Sequence, residues 1–503
     1  MTQGTATAAP VTAANRIGGE WREAADGRTF ESRNPARNSE IVGTFARSGA
    51  ADVDVAVRAA IAGFAEWRQT PWPSRGDIIL RCAQLMEARK EELAQLMTRE
   101  MGKVLTEARG DVQEGIDMGK YMAGQSRLAF GETVPSELRN KWAMTMRQPL
   151  GVVGVITPWN FPVAIPTWKI FPALLCGNAV VFKPAEDTPL CALRFVELLE
   201  EAGLPAGVVN IVFGYGEEAG SALVHHPDVA AISFTGSAQT GALIAESCGR
   251  LLKRCSLELG GKNAIVVLDD ANIELAVDGA LWGAFGTAGQ RCTASSRLIV
   301  TPGARGDFTE QLLARTRELR IGDGLDESVQ IGPMISEPQR TRAHGYTEIG
   351  RTEGASLLLG GDVATGSELD DGWFYQPTIF SDVHPDMRIA QEEIFGPTTA
   401  IIPVESEAAA IAAANGTRYG LSLSVYTQDV NRAFQAINHL EAGLVYVNAP
   451  TIGAEIQLPF GGTKNTGNGH REAGRVAFDQ FSEWKSIYVD YSGRLQRAQI
   501  DTE

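Results

Sequence analysis

The sequence predicts an α/β protein built on parallel sheets, and three observations lead to that fold class. Short Val- and Ile-rich runs, such as GVVGVIT, GNAVVFKP and NAIVVLDD, recur between residues 150 and 268. Helical patterns such as LCALRFVELLEEAG lie between them. Apolar strands that alternate with helices are typical of a parallel sheet covered on both faces. A second series of this kind begins near Asn272 and includes RLIVTP, TAIIPV and GLVYVNAP.

The flanking segments complete the predicted element order. Apolar residues at helical spacing predict helices over 51–68, 75–101 and 105–127. The stretch WAMTMRQPLGVVGVITP alternates and then becomes continuously apolar, and FSEWKSIYVDYSG predicts a terminal strand. The first residues lack the basic start and apolar core of a secretory signal, so we expect a short disordered tail that ends near Arg16.

Composition narrows the class of protein. The chain has 503 residues, 44% hydrophobic and 21% charged, with a net charge of -16. This charge disfavours nucleic acid as a partner, and the longest apolar runs are too short to span a membrane. Six cysteines without a CxxC pair or zinc-type histidine spacing predict free thiols, no metal site and a cytoplasmic location.

One cysteine stands out. Cys292 lies in FGTAGQRCTASS, after a run of small residues and directly after Arg291. A free cysteine is commonly a small core residue. A thiolate, however, is favoured near a cation and needs a loop that lets substrate approach, which is the pattern of a nucleophile. Both interpretations stay open on this window alone.

Two strand ends carry side chains suited to chemistry. TPWNFP places Asn160 after the strand GVVGVI, where its amide can donate to an oxyanion, although asparagine is also a common turn residue. VVFKPAEDTP ends a strand with Lys183 and Glu186, which suit a ribose or phosphate but also fit an ordinary solvated ion pair.

Two further strand ends follow in the same series. SFTGSAQTG opens a helix with Gly236 and Ser237, whose N–H groups could face a pyrophosphate, although such turns are common. LELGGKN puts Glu258 on an apolar edge, where it could activate water or form a structural ion pair. In the second series, QEEIFGP and PFGGTK are compatible with turns.

Seven motifs occur in a fixed order: PWNFP, KPAEDTP, FTGS, LELGGKN, GQRCT, EEIFGP and PFGG. Together they closely resemble the aldehyde dehydrogenase superfamily, from about Arg16 to the C-terminus. The resemblance implies a Rossmann-type cofactor domain, an α/β catalytic domain and a small β oligomerisation element. The corresponding ranges are 16–128 and 149–259 for NAD binding, 260–475 for catalysis, and 129–148 and 476–503 for oligomerisation, after a disordered tail over 1–15.

The resemblance also assigns roles to the motif residues. It implies that Cys292 is the nucleophile, Glu258 the general base, Asn160 part of the oxyanion hole and Lys169 a proton relay or support. The implied cofactor-binding residues are Ile156, Trp159, Lys183, Glu186, Thr235, Gly236, Ser237, Leu259, Gly260, Glu393 and Phe395. The implied substrate residues are Glu114, Arg291 and Phe460.

From these roles we expect oxidation of an aldehyde to the carboxylic acid through a thioester on Cys292, hydrolysed by water that Glu258 activates. Glu186 favours NAD by repelling a 2′-phosphate, although NADP stays possible. The presence of Glu258 favours hydrolysis over transfer to coenzyme A. A CoA-acylating enzyme and a non-catalytic NAD-binding relative remain alternatives, whereas the absence of zinc-ligand spacing argues against a zinc alcohol dehydrogenase.

The substrate and the assembly follow only from the resemblance. The segments 111–137 and 448–462 resemble branches that act on semialdehydes, and a broad-range aldehyde enzyme is the alternative. Similar enzymes form homodimers or homotetramers, so we expect strands from about 130–148 and the C-terminus to join subunits.

Overall fold

The computed structural model describes residues 9–128 and 130–501. The strands are Val11–Ala13 (β1), Asn15–Ile17 (β2), Glu20–Arg22 (β3), Thr29–Asn34 (β4), Arg37–Ala46 (β5), Thr133–Val134 (β6), Lys141–Pro149 (β7), Val152–Ile156 (β8), Ala179–Lys183 (β9), Val209–Ile211 (β10), Val229–Thr235 (β11), Arg254–Glu258 (β12), Asn263–Val267 (β13), Ser295–Val300 (β14), Ser356–Leu359 (β15), Thr378–Ser381 (β16), Thr398–Pro403 (β17), Tyr419–Gly420 (β18), Ser422–Tyr426 (β19), Leu444–Val447 (β20), Thr463–Lys464 (β21) and Ser482–Asp490 (β22).

The α-helices are Ala50–Trp67 (α1), Trp72–Ala88 (α2), Lys90–Met101 (α3), Leu105–Gln125 (α4), Ala164–Cys176 (α5), Pro189–Glu201 (α6), Ser221–His225 (α7), Ala238–Arg250 (α8), Ile273–Phe285 (α9), Pro302–Thr316 (α10), Glu337–Thr352 (α11), Arg388–Gln391 (α12), Glu407–Asn415 (α13), Val430–His439 (α14) and Phe478–Phe481 (α15). Of the described helices, none is long and apolar enough to cross a bilayer.

The first large sheet has the order β12-β11-β8-β9-β10-β2-β3, and its strands from β12 to β10 run parallel. Alternate residues of β8 enter two different cores, with Val153 and Val155 on one face and Val152 and Ile156 on the other. Both faces are therefore buried, which explains why β8 is apolar at every position. This confirms the predicted α/β class.

The second large sheet has the order β15-β16-β17-β14-β13-β19-β20 and is parallel apart from β15. It is built from the second apolar series that the sequence predicted. Its β13 begins at Asn263, five residues after the end of β12 at Glu258. The ends of the two sheets thus meet around one short connection, which holds LELGGKN.

A separate sheet of β22, β7 and β6 takes up both the segment before β8 and the C-terminal strand. β22 pairs with β7 along its whole length, from Ser482 opposite Pro149 to Asp490 opposite Lys141. The stretch WAMTMRQPLGVVGVITP is accordingly two strands in two sheets. Its alternating half is β7 and its continuously apolar half is β8.

The predicted N-terminal tail is wrong for its described part. Residues 1–8 lie outside the described residues, but β1 pairs in parallel with β5, and β2 pairs with β10. Asn15 is fully buried, and its Oδ1 accepts hydrogen bonds from Phe213 N and Ser48 Oγ at 2.9 and 3.0 Å. These contacts with residues far along the chain fix the structure of residues 11–15. They could not be predicted from the segment itself, because its hydrophobicity is low.

Two other boundaries differ from the expectation. The helix predicted over 75–101 is divided into α2 and α3 at Arg89, and both helices pack on α4. The segment from Ile456 to Phe481 packs against the first large sheet, because Ala473, Phe478 and Phe481 belong to a core on one face of that sheet. The boundary predicted at residue 475, as the end of the catalytic range, therefore falls inside a segment that packs against the first sheet.

Candidate active site

Asn160 follows β8 and is held in place by its own side chain. The side chain is buried, and Nδ2 donates a hydrogen bond to the Gln290 carbonyl at 3.0 Å. Gln290 precedes the cysteine by two residues, so this bond links the end of the first sheet to the cysteine loop. The second amide hydrogen of Asn160 is left to donate to a group bound beside it.

Glu258 is the last residue of β12 and is buried. Neither of its carboxylate oxygens accepts a hydrogen bond from the described residues. Burial, and next the charge of Glu472, raise the pKa of Glu258 well above its ordinary value. A carboxyl in this state is a stronger base than an exposed one, which is what proton abstraction near neutral pH requires.

Gly260 and Gly261, which follow Glu258, allow two close approaches. A Cβ on Gly260 would overlap the Glu393 carboxylate, and one on Gly261 would meet the Cys292 carbonyl oxygen at 2.5 Å. The Gly261 N–H also donates to Glu393 Oε1 at 3.1 Å. The glycine pair therefore brings Glu393 and the Cys292 loop against the link between the two sheets.

The loop before Cys292 has an unusual backbone. Thr287, Ala288 and Gly289 all have positive φ, at 54°, 52° and 68°. A β-branched residue rarely adopts this conformation, and strain of this kind costs about 1–3 kcal/mol per residue. The loop therefore needs hydrogen-bond partners that stabilise it, and one of them lies on α4.

That partner is Glu107, in the first turn of α4. Thr287 N donates to its two carboxylate oxygens at 3.0 and 2.8 Å, and Thr287 Oγ1 donates at 3.1 Å. Arg291 Nη2 donates to it at 3.1 Å, and Arg291 Nε donates to Thr287 Oγ1 at 2.9 Å. Glu107 thus fixes both the left-handed turn and the arginine beside the cysteine.

Cys292 is partly exposed, and its carbonyl accepts a hydrogen bond from Asn263 Nδ2 at 2.8 Å. Burial, and then the carboxylates of Glu393 and Glu258, raise the pKa of its thiol to about 12. The expectation that Arg291 favours the thiolate is therefore wrong for this state. The positive charge of Arg291 is already balanced by its ion pair with Glu107.

Lys169 lies on α5 and forms a buried ion pair with Glu472, and its Nζ also donates to Ser233 Oγ at 3.1 Å. The charge of Glu472 acts on Glu258, as described above. The charge of Lys169 itself lowers the pKa of Glu258, and Lys169 lines neither of the two cavities described next.

The larger cavity, of about 390 Å³, reaches both Cys292 and Glu258. Its wall contains Trp168 and Phe460, whose rings meet edge to face at 5.1 Å between centroids. Its charged lining consists of one cation, Arg291, and five carboxyl groups, those of Glu107, Asp111, Glu114, Glu258 and Glu472. Burial, and then the charge of Asp111, raise the pKa of Glu114 to about 8.

The smaller cavity, of about 170 Å³, also reaches Cys292 but lies on the side of Glu393. Trp159 and Phe395 form part of its wall, with edge-to-face rings 5.4 Å apart. It extends to Gly236 and to Ser237, the N-cap of α8. The free N–H groups and positive dipole end of such a helix suit an anion, so the cavity can hold a phosphate-bearing cofactor.

Lys183 ends β9, and its Nζ donates to Glu186 Oε2 at 2.9 Å. The lysine side chain is 4% exposed and that of Glu186 is 34% exposed. This is not the solvated pair that the sequence left open, because only the carboxylate reaches the surface.

Most of the predicted site residues converge on these two cavities: Asn160, Glu258, Cys292, Trp159, Thr235, Gly236, Ser237, Leu259, Gly260, Glu393, Phe395, Glu114, Arg291 and Phe460. Four others do not line them: Ile156, Lys169, Lys183 and Glu186. Cys292 lies where the two cavities meet.

The sequence analysis missed Glu107, Glu472 and, as a support of the cysteine loop, Asn263. Asn263 stands in LELGGKN, so its polar side chain beside two glycines was a usable signal. The positions of Glu107 in LTEARGDV and Glu472 in GHREAGR give no comparable signal, because each is one of many charged residues on a helix or loop.

Comparison with known proteins agrees with this geometry. A profile of the aldehyde dehydrogenase family matches residues 21–487. An alpha-ketoglutaric semialdehyde dehydrogenase from Bacillus subtilis is 44% identical over 475 residues, which are 94% of this chain and 97% of that protein. The structure of an NAD-dependent aldehyde dehydrogenase from Sinorhizobium meliloti superposes with a TM-score of 0.94 at 39% identity and covers 98% of this chain and 97% of its own. A betaine aldehyde dehydrogenase from Staphylococcus aureus in complex with NAD+ superposes with a TM-score of 0.94 at 35% identity, covering 96% of each chain.

Proposed function

This chain belongs to the aldehyde dehydrogenase family, and we propose that it oxidises a carboxylate-bearing semialdehyde with NAD, using Cys292 as the nucleophile. The observation that carries the assignment of Cys292 is its position at the junction of two cavities. One contains a general-base candidate, Glu258, and the other contains Glu393 and the start of α8.

The first chemical step is addition of the Cys292 sulfur to the aldehyde carbon. The Cys292 thiol loses its proton to solvent, a C–S bond forms, the C=O π bond breaks, and the negative charge moves to oxygen. The free amide hydrogen of Asn160 stabilises this oxygen, and one such donor contributes about 3 kcal/mol to catalysis. The bond from Asn160 to Gln290 keeps the amide oriented before substrate binds.

Bound NAD+ supplies a hydride acceptor, so that loss of hydride from the adduct leaves a thioester on Cys292. Glu258 then takes a proton from a water molecule in the larger cavity, and the resulting hydroxide attacks the thioester carbon. The C–S bond breaks, the acid leaves, and the thiol is restored. The raised pKa of Glu258 supports this base role.

The residues of the smaller cavity fit NAD. Glu393 rests on Gly260 and accepts a hydrogen bond from Gly261 N, which leaves its second carboxylate oxygen for a ribose hydroxyl. Gly236 and Ser237 offer the amino end of α8 to the pyrophosphate. Glu186, held by Lys183, disfavours a 2′-phosphate, so we expect a higher kcat/KM with NAD than with NADP.

The substrate proposal starts from the charges in the larger cavity. Arg291 uses Nε and Nη2 on Thr287 and Glu107, whereas Nη1 makes no hydrogen bond to the described residues. Glu114, with a pKa of about 8, is largely protonated at neutral pH and can donate an O–H. A carboxylate at the far end of a short aldehyde would find both donors. The relative from Bacillus subtilis, an alpha-ketoglutaric semialdehyde dehydrogenase, supports this choice.

The experiment that tests the function is NAD reduction with three aldehydes: α-ketoglutarate semialdehyde, pentanal and betaine aldehyde. We expect kcat/KM for the anionic semialdehyde to exceed that for pentanal at least tenfold, which is about 1.4 kcal/mol. A preference for the cationic betaine aldehyde would overturn the substrate proposal. Acid must form without added coenzyme A, since a requirement for coenzyme A would overturn hydrolysis by Glu258.

Cys292→Ala tests the nucleophile in the same assay. This variant should lose acid formation while still binding NAD, because the thiol lies outside the groups that hold the ribose and pyrophosphate. Full turnover in Cys292→Ala would contradict the assignment.

The assembly proposal is a dimer or tetramer joined through the sheet of β22, β7 and β6. β22 is an edge strand of that sheet, and β20 is an edge strand of the second large sheet. Open edges of this kind pair readily with another chain. The sheet also exposes Trp142, Trp484 and Tyr488. Trp484→Glu combined with Tyr488→Glu should lower the mass in light scattering, whereas Ile61→Glu on the exposed side of α1 should leave it unchanged.

A further inference from the structure

Two cysteines outside the proposed active site contact each other. Cys248 lies in the last turn of α8, and Cys255 is the second residue of β12. Cys248 belongs to a buried apolar cluster and Cys255 packs against that cluster, and each thiol shifts the pKa of the other. Both are free cysteines, so the pair is in its reduced form.

The two thiols differ in access. Cys248 is fully buried, whereas Cys255 is partly exposed and lines an open surface hollow of about 700 Å³. Lys253, Arg254 and His470 share the wall of that hollow. A small oxidant can therefore reach Cys255 from solvent, and Cys248 waits behind it.

The surroundings of Cys255 also favour its thiolate. Asn468 Nδ2 donates to Cys255 Sγ at 3.5 Å and to the Cys255 carbonyl at 2.8 Å. The neighbouring Cys248 thiol, and the hydrogen bond from Asn468, lower the pKa of Cys255 to about 7 against the opposing effect of burial. The isolated thiol of Cys176 differs, because burial raises its pKa to about 12. An accessible thiolate beside a second thiol is the arrangement of peroxide-sensitive cysteine pairs.

We propose that Cys248 and Cys255 form an oxidative modification site, at which a hydroperoxide converts the two thiols into a disulfide. The Cys255 thiolate attacks a peroxide oxygen, so that an S–O bond forms, the O–O bond breaks, and hydroxide leaves and becomes water. Cys248 then attacks the sulfenic sulfur of Cys255. The S–S bond forms, the S–O bond breaks and a second water leaves. The two thiols lose two electrons, which reduce the peroxide to water.

The site adjoins the strand end that bears Glu258. Asn468 Oδ1 accepts from Leu257 N at 3.0 Å, so one side chain holds Cys255 and the residue before Glu258. A disulfide directs the Cys255 sulfur toward α8 and removes it from Asn468. We expect thioester hydrolysis to slow as a result, and this consequence alone rests on the role proposed for Glu258.

The test maps the disulfide directly and does not depend on activity. The full chain carrying Cys292→Ala is treated with hydrogen peroxide, alkylated and digested with trypsin and Glu-C. Cleavage after Glu246, Arg250, Arg254 and Glu258 places the two cysteines in separate peptides, SCGR and CSLE. We expect one linked species with a mass two hydrogens below the sum of the two reduced peptides, which dithiothreitol separates.

Cys248→Ser and Cys255→Ser are the matched controls, and each should abolish the linked species. Cys255→Ser should leave Cys248 as a free thiol, whereas Cys248→Ser should leave a sulfenic acid on Cys255 that dimedone traps. Oxidation of Cys255 only to higher acids, or no reaction at either residue, would overturn the proposal. Because Cys292 is absent, neither result depends on the proposed catalytic function.

Discussion

The two sides of the active site are built in different ways. Glu258 is the last residue of a regular strand, and its position follows from the sheet. Cys292 instead lies on a loop with three consecutive left-handed residues, and its position depends on a hydrogen bond that Glu107 accepts from Thr287 N and one that Asn263 donates to the Cys292 carbonyl. Glu258 is placed by secondary structure, whereas Cys292 is placed by tertiary contacts with residues far along the chain.

This difference makes it possible to change the functional group of the base and the position of the nucleophile separately. A change in the functional group of Glu258 removes a base without disturbing a strand. A change at Glu107, which also lines the larger cavity, disturbs the loop without removing the base or the nucleophile. Variants at the two residues should therefore fail in different ways.

The largest effect is expected for Glu258→Gln. The amide has nearly the same shape but cannot accept a proton, and a general base typically contributes 10²–10⁴-fold, so we expect the steady-state rate to fall by about 10³-fold. Addition and hydride loss come before deacylation and do not use this base. Rapid mixing should therefore still show a burst of close to one NADH molecule per active site. A variant that loses the burst and the steady state together would contradict the deacylation role.

A smaller and different effect is expected for Glu107→Gln. The amide loses the charge that balances Arg291 and part of the bonding to Thr287, so the left-handed turn relaxes. Misplacement of a reacting group by about 1 Å can cost 10²-fold, and we expect kcat to fall by about 10–100-fold with little change in the KM for NAD.

Thiol reactivity distinguishes this outcome from loss of the nucleophile. The unbalanced charge of Arg291 favours the Cys292 thiolate, so alkylation by iodoacetamide at fixed pH should not slow in Glu107→Gln. Glu91→Gln is the matched control, because among the described residues Glu91 accepts side-chain hydrogen bonds only from the partly exposed Arg109 and from Gln95, and such surface pairs contribute about 0–1 kcal/mol. Slower alkylation in parallel with lower kcat would contradict the positioning role of Glu107.

The same contrast explains what the sequence could predict. Strand ends such as those before Asn160 and Glu258 were readable because apolar runs stop abruptly at polar residues. The order of motifs led from there to the family. Glu107 was not readable, since its importance comes from contact with Thr287, 180 residues away along the chain. The ordered segment before Arg16 was missed for the same reason, because its strands are held by residues 43–45 and 211.

The smallest expected effect concerns the pair behind Glu258. The Glu472 charge raises the pKa of Glu258, and Lys169 lowers it. Glu472→Gln removes the negative charge and leaves that of Lys169 uncompensated, so both changes lower the pKa of Glu258. Since Glu258 acts ionised, the acidic limb of kcat should move to lower pH, the direction expected when a nearby like charge is removed. Below that limb the base is protonated in both proteins, and above it both are ionised, so the two profiles should differ only between the two pKa values. Glu441→Gln, which removes a surface carboxylate paired with Lys464, should leave the profile unchanged. A shift of the limb to higher pH in Glu472→Gln would show that Glu472 acts on this step by some route other than its charge.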